Sequence, residues 1–191
     1  MSKARPADLE AIVRDLAAAE SVAAELCAGL TDAQLNWSPD DGLAWSIAQC
    51  LDHVVVTDTV YLEALRDGVA QAGPISREGP IAPGFLGRFF IRGLEPPVKK
   101  RFRFKAARKI KPAARSREEV LAAFHNSHDS LCRFIDECAA LDLNHVTFPN
   151  PFIPGVRMGV GTGLLVIAAH QRRHLWQARN VRERADLPAA S

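Results

Sequence analysis

Near the end of the 191-residue chain, the stretch AAHQRRHLWQARNV (residues 168–181) sets His170 and His174 four residues apart, directly after the apolar run GLLVIAA. On a helix, side chains four apart lie about 40° from each other, so both imidazoles share a face with Val166, Ile167, Gln177 and Val181. Arg172, Trp176 and Arg179 fall on the other side. Two imidazoles on successive turns can reach one metal ion, as in HExxH sites, although here Gln171, Arg172 and Arg173 intervene and no Glu supplies a base. The same spacing suits two hydrogen-bonded core histidines, and two ligands do not complete a site.

A third ligand has to come from another helix, and His53 is the best placed. Its neighbours on a helical wheel are Ser46, Gln49, Cys50, Thr57 and Val60, a face polar enough to line a wet cavity. Gln49, Cys50 and Thr57, with Gln177, are therefore candidate cavity-lining residues. A lone His packed in a core is the plainer alternative. Two further residues are candidates for catalysis. His128 falls at the centre of the stripe Leu121, Phe124, Leu131, Ile135 and Ala139, with His125 about 60° away, and can contact a substrate or serve as a satisfied core histidine. Glu20 lies between Leu16 and Ala23 on an inner stripe, where a buried carboxylate needs a partner or a metal. It is a candidate general base, or an edge residue that bends out to water.

Four helical segments position these residues. Residues 8–30 repeat apolar side chains at a 3.6-residue period with Asp8 available as N-cap, and the turn-rich TDAQLNWSPDDGLAWS follows. A second helix runs from Trp45 to about Asp67, apolar on more than one side and so deeply buried. Ser116 opens a third, reaching about Leu141, through the capping-box pattern SREE. Residues 159–184 form the fourth, after FPNPFIPG. Between the second and third, residues 68–115 form a basic connection or insertion. Pro74, Pro80, Pro83, Pro96, Pro97 and Pro112 exclude a long uninterrupted helix there. Strand-like alternation is sparse. The expectation is an all-α single domain over residues 1–191, a four-helix bundle with a long connection between helices 2 and 3.

Composition agrees: 48% of residues are hydrophobic, 24% are charged, and the net charge is +2, the balance of a chain with a packed core. No apolar run approaches the roughly 18 residues needed to span a bilayer, and no secretory h-region follows the first basic residues. A cytoplasmic location is therefore expected. Cys27, Cys50, Cys132 and Cys138 have no metal-knuckle spacing and read as free thiols used as small apolar groups.

LNWSPDDGLAWSIAQCLDHVVVTDTVYL, with its Trp-Ser helix start and a His eight residues after the Trp, and the closing HQRRHLWQ together resemble the DinB-like superfamily. The resemblance implies a bundle with up-down-down-up topology and a divalent metal held by three histidines, which by position are His53, His170 and His174. It also implies that the metal activates a low-molecular-weight thiol for transfer to a small electrophilic substrate. Metal-assisted hydrolysis is the alternative. Zinc, nickel, iron and manganese are not distinguished by three imidazoles.

Residues 86–115 carry eleven Lys or Arg against one Glu, interleaved with Phe89, Phe90, Phe102 and Phe104 and preceded by Phe85. A binding module for nucleic acid or an anionic surface is the reading from a different class. A flap whose charge attracts an anionic substrate is favoured over it. Trp176 on the outer face of the last helix is a candidate anchor for a homodimer.

Overall fold

The computed structural model of the protein describes residues 5–73, 75–97, 112–184 and 186–189. Helix starts follow the capping chemistry. Ser46 caps α3 (Ile47–Gln71) and Ser116 caps α5 (Arg117–Cys138), each in a reciprocal pair with the residue three positions on, Gln49 and Glu119. Thr31 and Gln34 do the same for a single-turn α2 (Asp32–Leu35). Asp8 is not the N-cap of α1 (Ala7–Cys27); Pro6 holds that position. Asp8 instead sits in the first turn, where a carboxylate complements the positive helix end, and accepts hydrogen bonds from Arg77 and the Ile81 N–H.

The second long helix runs past the expected Asp67 to Gln71. Gly68 does not stop it, because that glycine serves packing: a Cβ there would lie 2.8 Å from Phe148 Cβ and 3.0 Å from the Thr147 carbonyl oxygen. The connection after α3 contains a short helix, α4 (Phe85–Leu94), seated on α6 (Val160–Arg182). Residues 74 and 98–111, with Phe102, Phe104 and most of the basic charge, lie outside the described residues. Between α5 and α6, β1 (Thr147–Pro149) pairs antiparallel with β2 (Arg157–Gly159), Phe148 opposite Met158. The rest of the described chain is helix, turn and irregular backbone with one isolated antiparallel bridge between Ser76 and Leu141, and none of its helices is long and apolar enough to cross a membrane.

Side-chain pairings fix how the four long helices run. Arg172 meets Asp15 and Arg182 meets the Leu26 carbonyl, so α1 and α6 point the same way. Arg5 meets Asp136 while Glu20 meets His125, so α5 runs against α1. Leu65 lies beside Gly163 while His53 lies beside His174, so α3 runs against α6.

Their apolar faces form two clusters. One contains Leu9, Leu16, Leu65, Leu131, Ile135, Phe148 and Leu164; the other contains Ala23, Leu26, Ile47, Leu51, Val54, Phe124 and Leu175. Along α3, α5 and α6 the residues between the clusters include buried polar side chains: His53, Thr57 and Asp58, then His128, then Gln171 and His174. A polar layer thus divides the apolar interior, and the candidate site lies in it.

Candidate metal centre

α3 and α6 bring His53, His170 and His174 into one cluster, each offering a ring nitrogen, with those atoms all within 4.8 Å of one another. Ring centroids are separated by 4.5 Å for His53 and His174, 4.4 Å for His170 and His174, and 5.1 Å for His53 and His170. Trp45, the last residue before the cap of α3, forms a wall of the site, its ring 4.6 Å from His53 and 5.7 Å from His174. The Trp-Ser pair at the helix start therefore has two jobs: Ser46 begins the helix that carries His53, and Trp45 packs against the rings of His53 and His174.

Burial decides the protonation state of two of the three. Desolvation, followed by the nearby His53 and Arg173, pulls the pKa of His170 down to about 3. His174 is held well below its ordinary value by desolvation first and then by His170, His53 and Arg173. Part of the His170 residue remains accessible, but its Nδ1 is enclosed. Neutral imidazole is the form that binds a metal. Among the described residues, neither His170 Nδ1 nor His174 Nδ1 has a hydrogen-bond partner. Enclosed, unmatched nitrogens on two of three converging imidazoles fit a cation, since a buried polar atom without a partner is otherwise costly.

The other candidate residues have separate places. Gln177 lies by His174 and favours its protonated form. Thr57 is buried one turn after His53, its Oγ1 without a partner among the described residues. Gln49 is turned to the helix start, where its Oε1 accepts from the Ser46 N–H at 3.0 Å. Cys50 belongs to an apolar cluster, and burial pushes its thiol far up, away from the reactive thiolate form. Cys27 and Cys138 are buried thiols that burial likewise pushes up, to about 11 and about 12. Glu20 is not a buried carboxylate; its side chain is 41% exposed. It accepts at 2.6 Å from the exposed His125 and lies 3.7 Å from Nδ1 of the buried His128. Desolvation lowers the pKa of His128 despite the opposing pull of Glu20.

Phe90 packs against the interior while Phe85 and Phe89 are exposed on α4. Trp176 is half-buried on α6.

Sequence reasoning passed over Asp58 and Gln171. Gln171 Nε2 donates to Asp58 Oδ2 at 2.7 Å in the middle of the polar layer. Desolvation pushes the Asp58 carboxyl up to about 8, against the smaller opposing effect of the Gln171 bond. The available signal was an aspartate inside VVVTDTVYL, a helix apolar on more than one side, where a carboxylate cannot reach water.

The fold and site together define a helical protein with a cluster of three imidazoles between two apolar cores. The chain belongs to the DinB superfamily, whose family model matches residues 15–178, a span that includes all three histidines. Proteins of this family bind metal, and the histidine cluster is compatible with that property. No curated protein and no solved structure gave a match.

Proposed function

We propose that the protein is a divalent-metal-dependent enzyme whose ion is held by His53, His170 and His174 and which activates a low-molecular-weight thiol for transfer to a small electrophilic substrate. The observation that carries the reading is the convergence of three imidazole side chains from two helices, two of them with buried unmatched nitrogens. Three neutral ligands leave a divalent ion its full charge and an open position, so that it stabilises a coordinating thiol as thiolate or lowers the pKa of a coordinating water.

The protein's own residues prepare that chemistry. Burial keeps His170 and His174 unprotonated, and Trp45 limits water at the rim. Arg173 adds positive charge beside His170 and His174, which favours an anionic substrate group. His128, backed by Glu20, stands in the same polar layer and is positioned to accept a proton. The HQRRH stretch lacks the Glu that HExxH hydrolases use as base, which favours thiol activation; metal-dependent hydrolysis is the second reading. The directions of α1, α3, α5 and α6 support an up-down-down-up four-helix bundle as the scaffold.

Elemental analysis of tag-free protein tests the site. About one ion per chain is expected in the wild type, and near-complete loss in His53→Ala and His174→Ala. Metal far below one per chain in the wild type, or full retention in both variants, overturns the assignment. Cobalt-loaded protein titrated with a small thiol then separates the two chemistries, because a sulfur-to-metal absorption band appears only if the thiol binds.

A further inference from the structure

The polar layer holds more unmatched groups than the histidine cluster accounts for. Thr57, Asp58, His128 and Gln171 are 3%, 1%, 3% and 1% exposed. Among the described residues, Thr57 Oγ1, Asp58 Oδ1, Gln171 Oε1 and both ring nitrogens of His128 have no hydrogen-bond partner. These side chains come from three helices, and Asp58, Gln171 and His128 lie together: Gln171 Nε2 donates to Asp58 Oδ2 at 2.7 Å, and the Gln171 amide lies close enough to His128 to favour its charged form without meeting hydrogen-bond geometry. Convergent unmatched polar atoms in a buried region are the setting that binds internal water, which supplies two to four hydrogen bonds at once.

The layer has two ends. On one side, Thr57 follows His53 by one helical turn and Gln171 is the chain neighbour of His170. On the other, His128 Nδ1 stands 3.7 Å from one oxygen of Glu20, whose other oxygen is bonded at 2.6 Å to the exposed His125.

We propose that Thr57, Asp58, Gln171 and His128 hold internal water beside the metal centre, and that this layer, continued by Glu20 and His125, conducts a proton from the site to solvent. The transport role rests on the metal-activation reading above; the water site does not. The transfer is balanced, with one proton leaving the site, one reaching bulk water and no electron moved. Asp58 gives the proton on Oδ1 through water toward His128 and regains one from the side of the metal centre. His128 takes a proton on Nε2 and releases one from Nδ1 to Glu20, which gives it to solvent or to His125. An imidazole with both nitrogens unmatched is built for such two-sided exchange. Burial brings the Asp58 carboxyl to about 8, so it still holds a transferable proton at neutral pH.

Two measurements test this. A high-resolution crystal structure of the zinc-loaded protein is expected to show ordered water within hydrogen-bond distance of Asp58 Oδ1 and His128 Nε2, and a dry layer overturns the proposal. In stopped-flow mixing of cobalt-loaded protein with 2-mercaptoethanol and a pH indicator, wild-type protein should release about one proton per thiol bound, in step with the absorption band. His128→Phe and the more conservative Glu20→Gln should take up metal to the same stoichiometry and reach the same final absorption band, while band and proton release both develop about a hundredfold more slowly, with recovery in added imidazole. Proton release at wild-type speed in both variants overturns the transport role. If the wild type binds no thiol, the thiol reading fails together with the transport role, and the crystallographic water alone decides the internal site.

Discussion

Replacing Asp58 with asparagine isolates the energetic cost of a carboxyl buried in the polar layer. The side chain is 1% exposed, and burial raises its pKa from the ordinary 3.8 to about 8. Between those values the unfolded chain has lost the proton that the folded chain keeps, so folding stability falls as pH rises. The slope is about 1.4 kcal/mol per pH unit, which accumulates to roughly 5 kcal/mol by pH 8. Below 3.8 both states are protonated and the cost vanishes; above about 8 both are ionised and the cost stays level. Asn keeps the shape and a carbonyl oxygen to accept from Gln171 Nε2, and it cannot ionise. Urea unfolding of metal-free wild type and Asp58→Asn at a series of pH values from 5 to 8.5 reads the effect as a difference, in which the histidine contributions cancel. The advantage of the variant should widen steadily from pH 5 to about 7.5 and then flatten. A difference that stays constant across this range refutes the argument, since it means that Asp58 titrates alike in both states. Because the cost approaches the whole net stability of a small domain, metal-free protein should also be least stable at alkaline pH, as far as this group is concerned.

Further outcomes follow from the same geometry. Zinc affinity, measured by chelator competition, should fall between pH 7 and 5.5 far less steeply than at a site of three ordinary histidines, because protons compete for His170 only near its lowered pKa of about 3 and His174 is likewise held well below its ordinary value; a loss of about tenfold per pH unit for each of the three ligands contradicts the burial argument. The same depression means that metal-free protein loses stability as pH falls below 6.5, where the unfolded histidines take up protons that folded His170 and His174 refuse. Gly163→Ala should cost about 1–3 kcal/mol in denaturant titration, because its Cβ would fall 2.7 Å from Phe148 Cε1 and 2.9 Å from Leu65 Cδ2. Asp52→Ala should destabilise by about 1–3 kcal/mol through loss of its 2.7 Å bonds from the Ala113 N–H and Arg115 Nε, with faster hydrogen exchange at the Ala113 amide as the local readout.

How much was legible in the chain depended on the range of the interactions involved. The cap at Ser116 and the turn-rich FPNPFIPG are local signals, and α5 and α6 begin close to where those signals place them. Asp8 had equally good local credentials as a cap, yet its carboxylate is used by Arg77 and Ile81, partners nearly seventy residues away or more. The helix expected to end at about Asp67 continues through Gly68, a packing position that could not be foreseen because the β-hairpin that presses on it lies some eighty residues downstream. In the site, helical periodicity predicted correctly that His170 and His174 share a face, but it could not pair that face with His53, nor set Glu20 half in water against His125 and His128.

The sequence by itself determined the helical period, the capping box at Ser116, the shared face of His170 and His174, and, through its Trp-Ser and HQRRH stretches, membership of a metal-binding family. These depend on residues within a few turns of one another. Only the tertiary structure decided that α3 and α6 run antiparallel with three imidazoles at one level, that Trp45 walls them, and that Asp58, Gln171 and His128 divide the apolar interior beside them. Those facts depend on desolvation and on partners from other helices, and neither is a property of any one segment.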